Sequence, residues 1–145
     1  SELVRSLFDY FEALAEDSGI TLGVKGAIGS IAADREMLTR ALNNLLSNAI
    51  RHTPRGKSIT VLLSQDEQWT TISVVNPGEK IPEPDLPKLF NRFYRVDPAR
   101  QRNTAGAGLG LAIVKSIAEA HGGSVAVTSS ELVTRFDLAL PHLRQ

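Results

Sequence analysis

The chain of 145 residues contains no cysteine. Disulfide frameworks, thiolate nucleophiles and cysteine-rich zinc sites are thereby excluded. Its three histidines, His52, His121 and His142, are far apart in sequence, which argues against a histidine-held metal. Neither sign of charge is in excess: 16 Lys+Arg stand against 16 Asp+Glu, a formal net charge of zero. A general binder of nucleic acid or anionic membrane needs a basic surplus, although a local basic cluster remains open. No apolar run exceeds a few residues, so no membrane span is expected. The opening SELVRSLFDYFEAL is mixed and acidic, unlike a secretory signal. What remains is a chain of single-domain size, able to bury roughly 68–70% of its unfolded surface without staples.

Periodicity sets out the elements. Leu3, Leu7, Phe11 and Leu14 recur at helical spacing over residues 3–17, and Gly19 stops them. Two apolar runs separated by glycines, Ile20 to Val24 and Ile28 to Ala32, predict a hairpin. Asp34 is placed to N-cap a long helix ending near Arg51. Residues 59–64 and 70–76 read as strands joined by a polar turn. The stretch from Pro77 to Ala107 holds Pro82, Pro84, Pro87 and Pro98 and reads as irregular, apart from a short helix over 85–90. A helix over 109–121 closes at Gly122-Gly123, and residues 124–128 and 134–140 form a second antiparallel pair. This order predicts an α+β sandwich, with helices on one face of a mixed, mostly antiparallel sheet, as one domain over 1–145.

The long helix carries three stripes. Leu38, Leu42, Leu45 and Ala49 share one face, and Glu36, Arg40, Asn43 and Ser47 lie nearly opposite. Between them run Asn44, Asn48, Arg51 and His52. That border is where a pocket wall would sit. Amide oxygens suit a hard cation when phosphates supply the charge, and Arg51 could neutralise a phosphate. Taken alone, the stripe reads more simply as a polar helix edge bonded to water.

Gly106, Gly108 and Gly110 precede an apolar helix. They could bring backbone N–H groups to an anion, or they could form a plain hinge. GAGLGL is neither a dinucleotide fingerprint nor a P-loop. Asn76 ends a strand beside Pro77 and Gly78. It could read a donor–acceptor edge such as that of adenine, or it could simply start a turn. Phe90, Phe93 and Tyr94 with Arg92, Arg95 and Arg100 form either a satellite core with a solvated rim or a phosphate-facing edge or docking surface.

In this order the segments resemble the catalytic ATP-binding domain of bacterial sensor histidine kinases. The Asn box is NLLSNAIRHTP, the first glycine box NPGEKIP, the Phe box LFNRFYRVD and the second glycine box GAGLGLAIVKSIAEAHGG. TRFDLALP is the closing strand, and the likeness covers nearly the whole chain. It implies the Bergerat fold shared with gyrase, chaperone and mismatch-repair ATPases. NPG followed by FNRFYRVDPAR resembles the heavy-metal (copper or silver) sensing branch.

The resemblance implies Asn48 on Mg²⁺ and Asn44 near the metal and phosphates, with Asn44 and Arg95 taking part in catalysis. It implies Arg51 on a phosphate and His52 beside the nucleotide. Asn76 stands where most members have an adenine-reading Asp, with Gly78 and Ile81 at the adenine pocket. Lys80 replaces the usual second glycine, adding a positive side chain at the pocket mouth. Tyr94, Arg95 and Arg100 match the edge facing phosphates and lid. Gly106, Gly108, Leu109 and Gly110 match the hinge and cradle of a flexible ATP lid over about 97–107. Thr134 and Phe136 match the pocket floor, and Val133 stands where glycine is common. The implied function is to bind Mg-ATP and donate its γ-phosphate to a histidine on a separate helical dimerisation domain, with a response regulator downstream. That histidine precedes an acidic residue and a Thr-Pro, a context that His52, His121 and His142 lack. The expected setting is the cytoplasmic catalytic part of a bacterial inner-membrane sensor, reaching the membrane only through other segments and binding no nucleic acid. The alternatives are an ATP-hydrolysing switch of the same fold, or a non-catalytic nucleotide-sensing docking module. The hydrolysing relatives place a general-base Glu before the metal-binding Asn. Here no carboxylate follows Glu36 on that helix.

Overall fold

In the computed structural model, residues 2–29, 34–77, 83–90, 107–130 and 133–141 are described. The chain opens with helix α1, Glu2–Asp17, which buries Leu7, Phe8, Phe11 and Ala15. Leu14, at the same helical spacing, is left partly exposed at 37%. The helix stops where glycine allows it. Gly19, at φ +74°, donates to Glu16 O, and Ile20 N donates to Ala15 O at 2.8 Å. This pair of bonds satisfies carbonyls that the helix end would otherwise orphan.

Strand β1, Thr21–Gly26, follows, and among the described residues it has no hairpin partner. β1 instead pairs in parallel with β2, Ser58–Gln65, in register from Thr21↔Ser58 to Gly26↔Leu63. Ile28 and Gly29 are outside any strand, and residues 30–33 lie outside the described residues. Gly26 explains the misreading. Its φ is +90°, and a Cβ would collide with the Leu63 carbonyl. The glycine serves a close approach to β2 and not a hairpin turn. Gly29 N then donates to Gln65 Oε1 at 2.9 Å, tying the outgoing chain to the end of β2.

The crossover between the parallel strands is helix α2, Arg35–His52. Asp34 caps it as expected: its side chain accepts from Met37 N at 3.0 Å and its carbonyl from Leu38 N at 2.9 Å. β3, Trp69–Pro77, returns antiparallel to β2, and the expected short helix follows as a 3₁₀ helix over Glu83–Lys88, two residues earlier than the 85–90 expected. Helix α3, Ala107–Ala120, and strands β4, Ser124–Ser129, and β5, Val133–Pro141, complete the described chain. The sheet order is β1-β2-β3-β5-β4, with every neighbouring pair except the first antiparallel. The predicted α+β layering holds.

Alternation decides which face meets the helices. Ile72, Val74 and Asn76 of β3 and Thr134, Phe136, Leu138 and Leu140 of β5 are buried, each two residues from the next. Leu42, Leu45 and Leu46 of α2 are fully buried in the same core as Ile59, Val61, Ile72 and Leu138. On the open face, Ser73 donates to Asp137, whose Oδ1 also accepts from Arg135 Nε at 2.8 Å. Burying Ser73 there costs little because both partners are satisfied.

Two glycines give opposite expectations. At Gly123, where β4 leaves α3, an added Cβ would collide with the Ala139 carbonyl, whereas at Gly23 it meets nothing within 4 Å. Gly123→Ala should destabilise the fold by about 1–3 kcal/mol through overpacking. Gly23→Ala should be neutral or stabilise it by up to about 1 kcal/mol. Urea midpoints of the two variants check this, and equal midpoints would contradict the close approach.

Candidate functional site

The topology brings four pieces to one end of the sandwich. α2 leads into β2 within five residues, so the start of β2 lies at the C-terminal end of α2. β3 runs antiparallel to β2 and so finishes at that end, with Thr60 opposite Val75 and Asn76 one residue further on. β5 begins there, with Thr134 in register with Asn76. α3 runs against α2: Gly110 lies beside Asn44, and His121, just past α3, bonds to Asp34 at the start of α2. The first turns of α3 therefore border the later half of α2.

The predicted stripe is brought to this corner. Asn44 and Asn48 are half-buried, and Arg51 and His52 are exposed in the last turn. The Asn44 side chain sits against the first turns of α3, since a Cβ on Gly110 would lie 4.0 Å from Asn44 Cγ. Asn44 Nδ2 is buried and has no hydrogen-bond partner among the described residues. Leaving such a donor unsatisfied costs about 1–3 kcal/mol, so it calls for a partner such as water or a ligand. Asn76 is 4% exposed, and its Nδ2 donates to Pro77 O at 3.2 Å. Thr134, in register with it, is buried, with its Oγ1 3.2 Å from Ser129 Oγ. Phe136 is buried and meets Phe90 edge-to-face, with centroids 6.0 Å apart. Phe90 thus packs against the main core.

Gly108, Leu109 and Gly110 belong to the first turn of α3, not to a loop before it. Gly78, Lys80, Ile81, Tyr94, Arg95, Arg100 and Gly106 lie outside the described residues, as does nearly all of the lid expected over 97–107. Sequence reading also missed Ser129 beside Thr134. The polar pair at the ends of the closing hairpin was its available signal. A separate groove of about 440 Å³ lies between α1 and β1, lined by Phe8, Leu22, Ile28 and Leu63 with Arg5, Asp9 and Glu12. None of the sequence-predicted site residues lines it.

His52 is exposed by area, yet the protein around its ring holds its pKa below the ordinary 6.5. Desolvation is the larger cause and the Arg51 charge the smaller. The ring is therefore neutral at pH 7 and able to accept a hydrogen bond beside an anion without adding charge.

An open sheet covered on one face, with a polar corner between two antiparallel helices, is the architecture of histidine kinase catalytic domains. The mycobacterial sensor histidine kinase MprB superposes with a TM-score of 0.84 at 29% identity, covering 99% of this chain and 96% of that one. The catalytic domain of histidine kinase ThkA does so with 0.84 at 29% identity, covering 97% and 91%. The chain belongs to the family of histidine kinase-, DNA gyrase B- and HSP90-like ATPases, whose pattern matches residues 33–144. Among curated proteins it is 54% identical over 138 residues to the sensor histidine kinase CusS of Escherichia coli K12, covering 95% of this chain. It is 53% identical over 115 residues to the probable sensor kinase SilS of Salmonella typhimurium, covering 79% of this chain. It spans 29% of the length of CusS and 23% of SilS.

The lowered pKa of His52 fixes a sign. The unfolded state binds its proton more readily, so the neutral ring's contribution to stability is present above the unfolded value near 6.5. That contribution is lost as pH falls through the lower folded value. Stability of the native chain should decline from pH 7 toward pH 5 more steeply than that of His52→Gln, as read by denaturant titration. Parallel profiles would contradict the desolvated ring.

Proposed function

We propose that the corner between α2, α3 and the ends of β3 and β5 binds Mg-ATP and offers its γ-phosphate to a histidine on another domain. The observation that supports this most is the orphaned Asn44 Nδ2, a buried donor on the helix face that borders the first turns of α3. On this reading Asn48 would ligate Mg²⁺, with Asn44 near the ion and phosphates. Neutral amides suit a hard cation whose charge balance comes from phosphate oxygens. When bound, the ion would neutralise developing charge on the transferred phosphoryl group. Arg51 and the neutral His52 face the nucleotide, and Asn76 addresses the adenine edge with Thr134 beside it. Gly108, Leu109 and Gly110 let the start of α3 approach the phosphates, where helix N-termini favour anions. Gly78, Lys80, Ile81, Tyr94, Arg95, Arg100, Phe136 and Gly106 keep the roles that the family likeness implies.

Positioning carries the chemistry. The acceptor imidazole nitrogen attacks the γ-phosphorus, the bond to the β–γ bridging oxygen breaks, and ADP leaves. The likeness to the sensor kinases CusS and SilS supports reading the chain as the cytoplasmic catalytic part of a membrane sensor of the heavy-metal branch, with a response regulator taking the phosphoryl group onward. An ATP-hydrolysing switch is not favoured, because α2 offers no carboxylate beyond Glu36 to activate water.

Two measurements test this. Given labelled ATP and Mg²⁺, the chain alone should remain unlabelled. The parent kinase's helical histidine domain, added in trans, should acquire acid-labile label. Label on this chain, lost on replacing His52, His121 or His142, would overturn the assignment. In calorimetry, Asn48→Ala should abolish most of the Mg²⁺ dependence of ATP binding while leaving the fold intact. Unchanged dependence would remove Asn48 from the metal.

A further inference from the structure

We infer that His121 is a positioning residue for the nucleotide corner, clamping the far end of the α2–α3 pair so that Asn44 and Asn48 are held against the start of α3. The inference rests on the nucleotide reading above, but its own basis is the geometry of one ring.

His121 follows the last residue of α3, and the helix end does not need its side chain. Gly122 N donates to Glu119 O at 3.0 Å and Gly123 N to Ala118 O at 2.8 Å, with Gly122 at φ +77°. Those two bonds already close the helix. The imidazole does something else. Its Nδ1 lies 2.9 Å from Ile117 O, a carbonyl that can only accept, so Nδ1 carries the proton. Its Nε2 lies 2.9 Å from Asp34 N, which can only donate, so Nε2 presents a lone pair. Both nitrogens are committed, and the ring is the neutral Nδ1–H tautomer.

Asp34 is not an arbitrary partner. Its carboxylate accepts from Met37 N at 3.0 Å and its carbonyl accepts from Leu38 N at 2.9 Å, so it is the N-cap of α2. One ring thus joins the Ile117 carbonyl, in the last turn of α3, to the capping residue of α2. From Asp34 to Asn44 is ten residues of helix, roughly 15 Å of stiff rod. At the other end of the pair Asn44 stands beside Gly110, and between the two ends Leu42 and Leu45 of α2 share one core with Val114 and Ala118 of α3. The apolar seam holds the two helices together, and anchoring the base of the rod adds a fixed point that trims how far Asn44 and Asn48 stand from the first turns of α3.

The test has a spectroscopic and a binding arm. Long-range ¹H–¹⁵N NMR of the imidazole at neutral pH should show Nδ1 protonated and Nε2 bare. The Nε2–H tautomer would overturn the clamp. The binding arm compares His121→Gln, whose longer amide keeps an acceptor for Asp34 N–H, with His121→Phe, which fills the space without one. Mg-ADP affinity is measured by calorimetry at a temperature where circular dichroism shows each variant fully folded. A residue that only stabilised the fold would leave that affinity unchanged. His121→Phe should bind about 2–10-fold more weakly, the equivalent of one net hydrogen bond, and its Asp34 amide should exchange faster. His121→Gln should restore both. Should His121→Phe not fold, His121→Asn, whose amide is too short to reach Asp34, replaces it. Wild-type affinity in the variant lacking the acceptor overturns this inference alone. Absence of nucleotide binding by the native chain overturns the nucleotide reading and this role with it.

Discussion

The packing of α2 onto the sheet is the constraint on which the rest depends. Leu42, Leu45 and Leu46 are fully buried against Ile59, Ile72 and Leu138. Burying three such side chains is worth about 1.5–3 kcal/mol each relative to exposure. That term fixes the rotation of the helix about its own axis. Because residues four apart share a face, fixing the leucines also aims Asn44 and Asn48 along the border of the core. The polar corner is a by-product of an apolar seam: the amides carry little packing energy, and the leucines point them.

The second helix closes the other side of the corner. α3 buries Val114 and Ala118 completely and runs antiparallel to α2, so its glycine-containing start is placed beside the Asn stripe. The cost appears locally as a buried amide donor with no partner among the described residues. Such a group calls for a partner, whether water, an ion or a ligand. The neutral His52 ring and the Asn76–Thr134 pair at the sheet end have the same character. They are polar groups held at a core margin without adding charge.

Much of this was legible in the sequence because it rested on strong local signals. Asp34 announced the start of α2, Gly19 and Gly122-Gly123 announced two helix ends, and the three stripes of α2 follow from its period. The failure at β1 is as instructive. Two apolar runs divided by glycines look the same whether glycine makes a turn or admits a neighbouring strand, and only the collision that a Cβ on Gly26 would meet at Leu63 separates the cases. Parallel pairing is non-local and leaves no mark on either strand alone. The bond from His121 to Asp34 spans 87 residues and was invisible for the same reason. A histidine before two glycines reads as a helix end, and nothing nearby shows what the ring reaches.

The account stands on the corner between the later half of α2 and the start of α3 being where the nucleotide binds. The most direct measurement is an ¹⁵N NMR titration of the chain with Mg-ATP that follows the side-chain amide of Asn44, the one buried donor without a partner among the described residues. This amide should shift and become protected from exchange as the corner fills, while the backbone amides of Ser73 and Asp137 on the strands of the open face stay in place. A saturating titration that leaves the Asn44 amide unmoved would contradict it.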